Sequence, residues 1–130
     1  MVLALSTDRQ SFCEGLAFEV EQGKELETLE YLRGRELVSS AYLEKDVSLS
    51  LKNGQYIQSL VYVIDEGHAQ FCKLTLDEQA KIIAVAKGGR GPNDEYLYST
   101  RNKIAELGIN DAEIECLYTK VRLIKDQKDV

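Results

Sequence analysis

Hydrophobic residues along this chain recur with two periods. Leu26, Leu29 and Leu32 lie three residues apart between positions 24 and 37, the spacing of an amphipathic helix. Behind Gly15, Leu16-Ala17-Phe18-Glu19-Val20 alternates apolar with polar and predicts a short strand. From Tyr42 to Ile64 two strand-like runs, Val47-Ser48-Leu49-Ser50-Leu51 and Tyr56 to Ile64, flank Asn53-Gly54. Asn-Gly between alternating segments predicts a hairpin, because both residues tolerate the positive φ of a type I′ turn.

Helical signals dominate the second half. Thr75-Leu76-Asp77-Glu78 has the spacing of a capping box and predicts a helix running to Lys87, closed by Gly88-Gly89. After Gly91, Pro92 suits the start of a helix from about Asn93 to Leu107, with Gly108 as its stop. Asn110 is placed to cap a last helix that carries Ile114, Leu117, Val121 and Ile124 at helical spacing. Strands come first and helices last, with one helix between strands. That order predicts an α+β fold rather than a repeating βαβ unit.

Composition narrows the function classes. The chain has 130 residues, 44% of them hydrophobic and 29% charged, which fits a single domain spanning 1–130. No apolar run approaches the roughly 18 residues needed to cross a bilayer. The opening Met1-Val2-Leu3-Ala4-Leu5 lacks a basic flank, and Asp8 and Arg9 follow too soon for a signal peptide. With 22 acidic against 16 basic residues the net charge is −6, which disfavours a phosphate-backbone partner. Neither nucleic acid nor membrane is expected as a partner. Cys13, Cys72 and Cys116 match neither a metal knuckle nor an even disulfide framework. Free thiols in a reducing cytoplasm are the expectation. The sole histidine, His68, falls in the polar Asp65-Glu66-Gly67-His68 stretch and reads as an exposed loop residue after a strand. One histidine and scattered cysteines argue against a zinc site.

Two segments have chemical potential. At about 100° per residue, Glu36 projects between Leu29 and Leu32 on the apolar stripe of the first helix. A carboxylate on a buried stripe is costly unless paired, and burial favours its neutral form, as a general acid or base at neutral pH requires. Two plainer readings stand beside this one. The helix ends at Gly34, or Glu36 pairs with Arg33 or Arg35. Glu25 points the same way but lies in the first turn, where it complements the helix dipole. Glu27, nine residues before Glu36, faces the opposite side. The second segment is Gly88-Gly89-Arg90-Gly91-Pro92-Asn93-Asp94-Glu95-Tyr96. Glycines and an arginine before a helix N-terminus suit a carboxylate or phosphate, although no Walker or G-x-G-x-x-G pattern is present. By pattern alone a plain helix–helix connection is the favoured reading. Tyr56, Tyr62 and Tyr98 read as core or rim packing.

At these segments the chain resembles the ChaC-type γ-glutamylcyclotransferases. Gly23-Lys24-Glu25 running into Glu30-Tyr31-Leu32-Arg33-Gly34-Arg35-Glu36-Leu37, then Tyr42, is similar to the family's helix and Arg-Glu motif. Gly91-Pro92-Asn93-Asp94-Glu95-Tyr96-Leu97 is similar to its Gly-x-Asn-x-Glu-Tyr-Leu segment, and Gly15-Leu16-Ala17-Phe18 to its Gly-Val-Ala-Tyr strand. The order is shared from about Val2 to Ile124. The resemblance implies a mixed or antiparallel sheet, or small barrel, flanked by helices. It implies cleavage of glutathione, or another γ-glutamyl compound, into 5-oxoproline and cysteinylglycine, with no metal or organic cofactor. The α-amine of the γ-glutamyl group attacks its own side-chain carbonyl. A base takes a proton from the ammonium and an acid returns one to the leaving amine. The catalytic glutamate of the family falls on Glu36, and its motif tyrosines on Tyr42 and Tyr96 as pocket residues.

One departure shapes the expectation. The family's domain opens with a strand and a Tyr-Gly-Ser-Leu turn whose backbone N–H groups hold the γ-glutamyl moiety, and no such turn occurs here. Orientation is worth about 7–11 kcal/mol in favourable intramolecular reactions. A domain short of its first strand would thus be weak or inactive. It would also expose a sheet edge that invites self-association. The competing expectation is a non-catalytic interaction or regulatory protein that reuses the fold.

Overall fold

Nine residues of strand on each side of a tight turn form the best-defined β structure. A computed structural model describes residues 3–129, so Val130 and the head of the apolar opening run, Met1 and Val2, lie outside the described residues. Strand β1 (Tyr42–Ser50) pairs antiparallel with β2 (Tyr56–Ile64) from Tyr42↔Ile64 to Ser50↔Tyr56. The hairpin is as expected, but its turn is not type I′. Gly54 N–H donates to Leu51 C=O at 3.0 Å, and Leu51 N–H donates to Gln55 C=O at 2.8 Å. Gly54 has φ 84°, whereas Asn53 keeps a negative φ. This is a three-residue loop ending in a positive-φ glycine. The Asn53 side chain accepts from Gln55 N–H at 3.0 Å, a local bond that makes asparagine a good turn residue.

Helix α1 (Glu25–Glu36) precedes the hairpin. Glu25 and Glu27 occupy its first turn and Arg33 and Arg35 its last, which complements the helix dipole at both ends. The Glu25 carboxylate also folds back to accept from Gly23 N–H at 2.8 Å. The helix passes through Gly34 and ends at Glu36, so the shorter alternative is excluded. Its stripe is narrower than the leucine spacing predicts. Leu29, Leu32 and Glu36 are half-buried, whereas Leu26 is 77% exposed.

The later helices are α2 (Leu76–Ile83), α3 (Asn93–Glu106) and α4 (Ala112–Lys128). Thr75 and Glu78 form the expected capping box, each accepting from the other's backbone N–H. Helix α2 stops at Ile83, four residues before the expected end, because residues 87–92 turn back on themselves. There β3 (Lys87–Gly88) pairs antiparallel with β4 (Gly91–Pro92). Asp111 rather than Asn110 caps α4, accepting from Ile114 N–H at 3.0 Å. Helices α2 and α3 pack on α4 and on each other around buried Ala80, Ile83, Leu97, Leu117 and Val121.

Among the described residues the fold is α+β, with four helices and two small two-stranded antiparallel sheets. No closed barrel forms, since β1 pairs only with β2 and β3 only with β4. Residues 16–20, expected as a strand, enter no ladder. An alternating run without a hydrogen-bonded neighbour gains nothing from extended pairing, and Leu16 and Phe18 stay 60% and 85% exposed. The chain forms two compact units. One comprises Leu3–Phe12 and Leu16–Cys72, with α1 and the hairpin; the other comprises Cys13–Gly15 and the residues from Lys73 onward.

The burial contrast gives a direct stability test. Leu117 is 1% exposed, so Leu117→Ala should cost about 2–5 kcal/mol in urea unfolding. Leu26→Ala, at an exposed helix position, should stay within about 0.5 kcal/mol of the parent. Equal losses would show that Leu26 has a packing role the fold does not assign to it.

Candidate active site

Strand register decides which side chains meet near the end of α1. Leu51 and Gln55 exchange a ladder bond, and bonded pairs alternate with non-bonded ones along an antiparallel pair. Glu44↔Tyr62 is therefore a non-bonded pair, the kind in which opposed side chains stand closest. The Tyr62 hydroxyl donates to Glu44 Oε1 at 2.8 Å. From α1, Arg33 Nε donates to both Glu44 oxygens at 3.0 and 3.2 Å, and Nη2 donates to Oε2 at 2.9 Å. Glu44 thus accepts from the helix and from the neighbouring strand together.

The charges follow from these contacts. Hydrogen bonds from the Arg33 guanidinium, then from Tyr62, hold the Glu44 carboxyl below the usual carboxylate range. Desolvation first, then the Glu44 hydrogen bond and charge, push the Tyr62 phenol up to about 12. Arg33 opposes that rise and the Glu36 charge adds to it. At neutral pH the group consists of a guanidinium, a carboxylate and a neutral phenol that donates. The Glu36 charge lies close enough for the phenol to sense it.

Glu36 is the last residue of α1, with its side chain 30% exposed and Arg35 Nε 3.5 Å from Oε1. Of the two pairings left open by the sequence, the structure forms that with Arg35, while Arg33 goes to Glu44. Tyr42, the first residue of β1, is half-buried and shares a sheet face with Glu44. Glu36, Tyr42, Glu44 and Tyr62 therefore belong to one unit. Along the same helix face, Thr28, Leu29 and Leu32 line an open cleft of about 860 Å³ with Ile57, Leu60 and Phe18. That volume suits a small organic ligand. Glu36 lies one turn beyond Leu32.

Tyr96 stands on α3 of the other unit and is 43% exposed, with its carbonyl accepting from Thr100 Oγ1 at 2.8 Å. The motif around it has structural work. Asp94 is 7% exposed, and its carboxylate meets Lys125 Nζ of α4 at 2.8 Å and Glu95 N–H at 3.0 Å. Asn93 N–H donates to Ala86 C=O at 2.9 Å. With these N–H groups committed to the chain's own acceptors, the segment is a helix connection rather than an anion cradle. Across the same helix pair, Arg101 bonds Glu115 Oε1 at 2.7 Å and stacks on the Tyr118 ring at 4.6 Å. Tyr98 packs edge-on against Tyr118, a packing role as the sequence indicates.

The other titratable candidates are structural. His68 lies in the turn after β2, half-buried rather than fully exposed, and its Nδ1 accepts from Gln70 N–H at 3.1 Å. Cys13, Cys72 and Cys116 are free thiols. Desolvation, then Asp111 and Glu14, push the Cys13 thiol up, away from thiolate chemistry. Among the described residues no three His, Cys, Asp or Glu side chains gather as a metal ligand set. No helix among them is long and apolar enough to cross a membrane.

The family model described as ChaC-like protein matches residues 1–124. The chain belongs to the ChaC-like family. It is 28% identical over 109 residues to a glutathione-specific γ-glutamylcyclotransferase of Escherichia coli K12, covering 83% of this chain and 47% of that protein. It is 37% identical over 86 residues to glutathione-specific γ-glutamylcyclotransferase 1 of Danio rerio, covering 64% and 44%. The chain thus spans about half the length of these curated relatives. A crystal structure of the glutathione-specific γ-glutamylcyclotransferase from yeast matches with TM-score 0.65 at 24% identity, over 82% of this chain and 58% of that one. That likeness establishes the fold.

Arg33, Glu44 and Tyr62 have no place among the sequence-derived site residues. Register was the signal that would have found Glu44 and Tyr62. A two-residue Asn53-Gly54 turn sets Glu44 opposite Val63, whereas the three-residue loop sets it opposite Tyr62.

The ion pair between Asp94 of α3 and Lys125 of α4 has a pH signature. Lys125 and the Glu95 amide hold the Asp94 carboxyl below its ordinary 3.8. The folded chain therefore binds this proton less readily than the unfolded chain does. The resulting stability is present above about pH 4 and lost as pH falls through the lower folded value. Asp94→Asn should flatten the acid limb of a stability–pH curve measured by urea unfolding between about pH 2 and 5. Lys125→Met, which leaves the carboxylate desolvated, should cost about 1–3 kcal/mol at pH 7.

Proposed function

We propose that this chain carries out γ-glutamylcyclotransferase chemistry on glutathione, with Glu36 as general base and acid. The supporting observation is the position of Glu36. It closes the half-buried face of α1, one turn beyond a cleft of small-molecule size, in a chain whose family match runs over residues 1–124. The E. coli and Danio rerio relatives bear the name of that activity. Tyr42 is the pocket residue on the hairpin face, and Tyr96 the corresponding proposal on α3. A single γ-glutamylcyclotransferase-like domain over residues 1–130 is the organisation this reading proposes.

The reaction needs little from the protein beyond positioning and proton transfer. Glu36 takes a proton from the γ-glutamyl ammonium, and the freed amine attacks the side-chain carbonyl four atoms along its own chain, closing a five-membered ring. Glu36 returns its proton to the departing nitrogen as the tetrahedral intermediate collapses, and the second proton of the attacking nitrogen passes to the freed amine, so cysteinylglycine leaves as its ammonium form. One amide bond breaks and one forms, giving 5-oxoproline without an oxidant or external nucleophile. The cytoplasm, where glutathione and free thiols coexist, is the proposed setting.

Glu36→Gln should lower 5-oxoproline release from glutathione by about 10²–10⁴-fold, the usual worth of a positioned proton-transfer group. Activity that survives the substitution would sink the mechanism. A chain with no activity at all would favour the non-catalytic reading.

Self-association through a sheet edge is a second part of the proposal. The outward row of β2 carries the backbone groups of Tyr56, Gln58, Leu60, Tyr62 and Ile64. Of that row, Ile64 N–H meets Leu5 C=O at 2.8 Å. Nine uncharged residues along an edge lack the charges that normally discourage pairing. Sedimentation velocity should detect a concentration-dependent dimer, and Gln58→Lys should weaken it. A strictly monomeric parent at high concentration refutes the edge.

A further inference from the structure

Arg33 precedes Glu36 by three residues on the same helix, a spacing at which side chains are neighbours. A guanidinium there is a ready bidentate partner for the carboxylate. In the structure it turns away, and all three of its hydrogen bonds to a carboxylate go to Glu44 on β1. Glu36 keeps a contact of 3.5 Å with the adjacent Arg35. Glu44 is itself held by the Tyr62 hydroxyl at 2.8 Å, so its carboxylate is fixed from the sheet side before the arginine reaches it.

We propose that Glu44 is a positioning residue that draws the Arg33 guanidinium away from Glu36, leaving the Glu36 carboxylate oxygens to accept a substrate proton. This rests on the reading of Glu36 as the base and deepens it. A bidentate cation stabilises the charged form of a carboxylate and makes it a poorer proton acceptor. The ionisable groups around Glu36 are Arg35 at 3.5 Å, Arg33 three residues before it on α1, the Tyr62 phenol on β2, which senses its charge, and Glu44 on β1, which holds both Arg33 and Tyr62. Removing the Glu44 charge releases Arg33 and also the Tyr62 hydroxyl, which remains a neutral phenol at neutral pH, so the double variant isolates the contribution of Arg33. The mechanism also predicts which second change restores the site, because the harm comes from Arg33 alone.

The test follows the Glu36 side-chain carboxyl carbon through a pH titration by ¹³C NMR, in the full chain. In Glu44→Gln its transition should move to lower pH, and in Arg33→Gln/Glu44→Gln it should return to the parent position. The acid limb of the kcat/KM–pH profile with glutathione should move in step. An unmoved Glu36 transition in Glu44→Gln overturns the inference, as does a shift that persists in the double variant. Should Glu44→Gln fail to fold by circular dichroism, Glu44→Asp and Arg33→Gln decide the matter. The shorter carboxylate should shift the transition acidward, and Arg33→Gln should leave it in place; the opposite pattern overturns the proposal. Full activity in Glu36→Gln defeats the base reading instead, and leaves the titration result standing on its own.

Discussion

The Glu44 carboxylate is the junction on which the unit containing Glu36 depends. It belongs to a strand, takes a phenol from the neighbouring strand and takes a guanidinium from the helix. Helix α1 has no buried residue, so apolar packing contributes little to its attachment, and directional hydrogen bonds to charged groups carry more of the burden. The pair is partly solvated, with the Arg33 side chain 52% exposed, so its worth lies in geometry more than in stability. What it fixes is where the last turn of α1 sits against β1, and that places Glu36.

Much of the architecture is legible in the sequence, and the misses share a cause. Local chemistry was readable where a few adjacent residues decide the outcome: the Thr75–Glu78 capping box, the stop at Gly108 with φ 72°, and the glycine-centred hairpin. Local reasoning failed where a long-range partner decides. Residues 16–20 have the alternation of a strand, yet no neighbouring strand completes a ladder with them. Helix α2 has apolar residues beyond Ile83, but the pairing of Lys87–Gly88 with Gly91–Pro92 claims the chain first.

The hairpin shows how a small misreading hides a site. Asn53-Gly54 identified the turn, but the three-residue loop shifts the pairing by one residue relative to a type I′ turn. A one-residue slip exchanges the two faces of a strand. Under the wrong register, Glu44 faces a valine and reads as a solvated surface charge. Under the true one, it meets Tyr62. Glu36 escaped this problem because its position follows from helical periodicity within α1, which needs no partner strand. The leucine stripe holds at Leu29 and Leu32 and fails at Leu26, which stays 77% exposed.

Three carboxylates then illustrate why sequence motif and chemical role need not coincide. Asp94 lies in a family motif and is bound by Lys125 and a backbone amide, which makes it an anchor between α3 and α4. Glu44 lies outside any motif and is bound more heavily still, by Arg33 and Tyr62. Both have their charged forms stabilised by those partners, and a carboxylate so held is a poor proton carrier. Glu36 is half-buried, contacts an adjacent arginine at 3.5 Å and stands beside a phenol that stays protonated. Of the three, its surroundings ask least of its lone pairs. Among these three, Glu36 is the carboxylate whose lone pairs are least committed, which is what the proposed proton-transfer role asks of it.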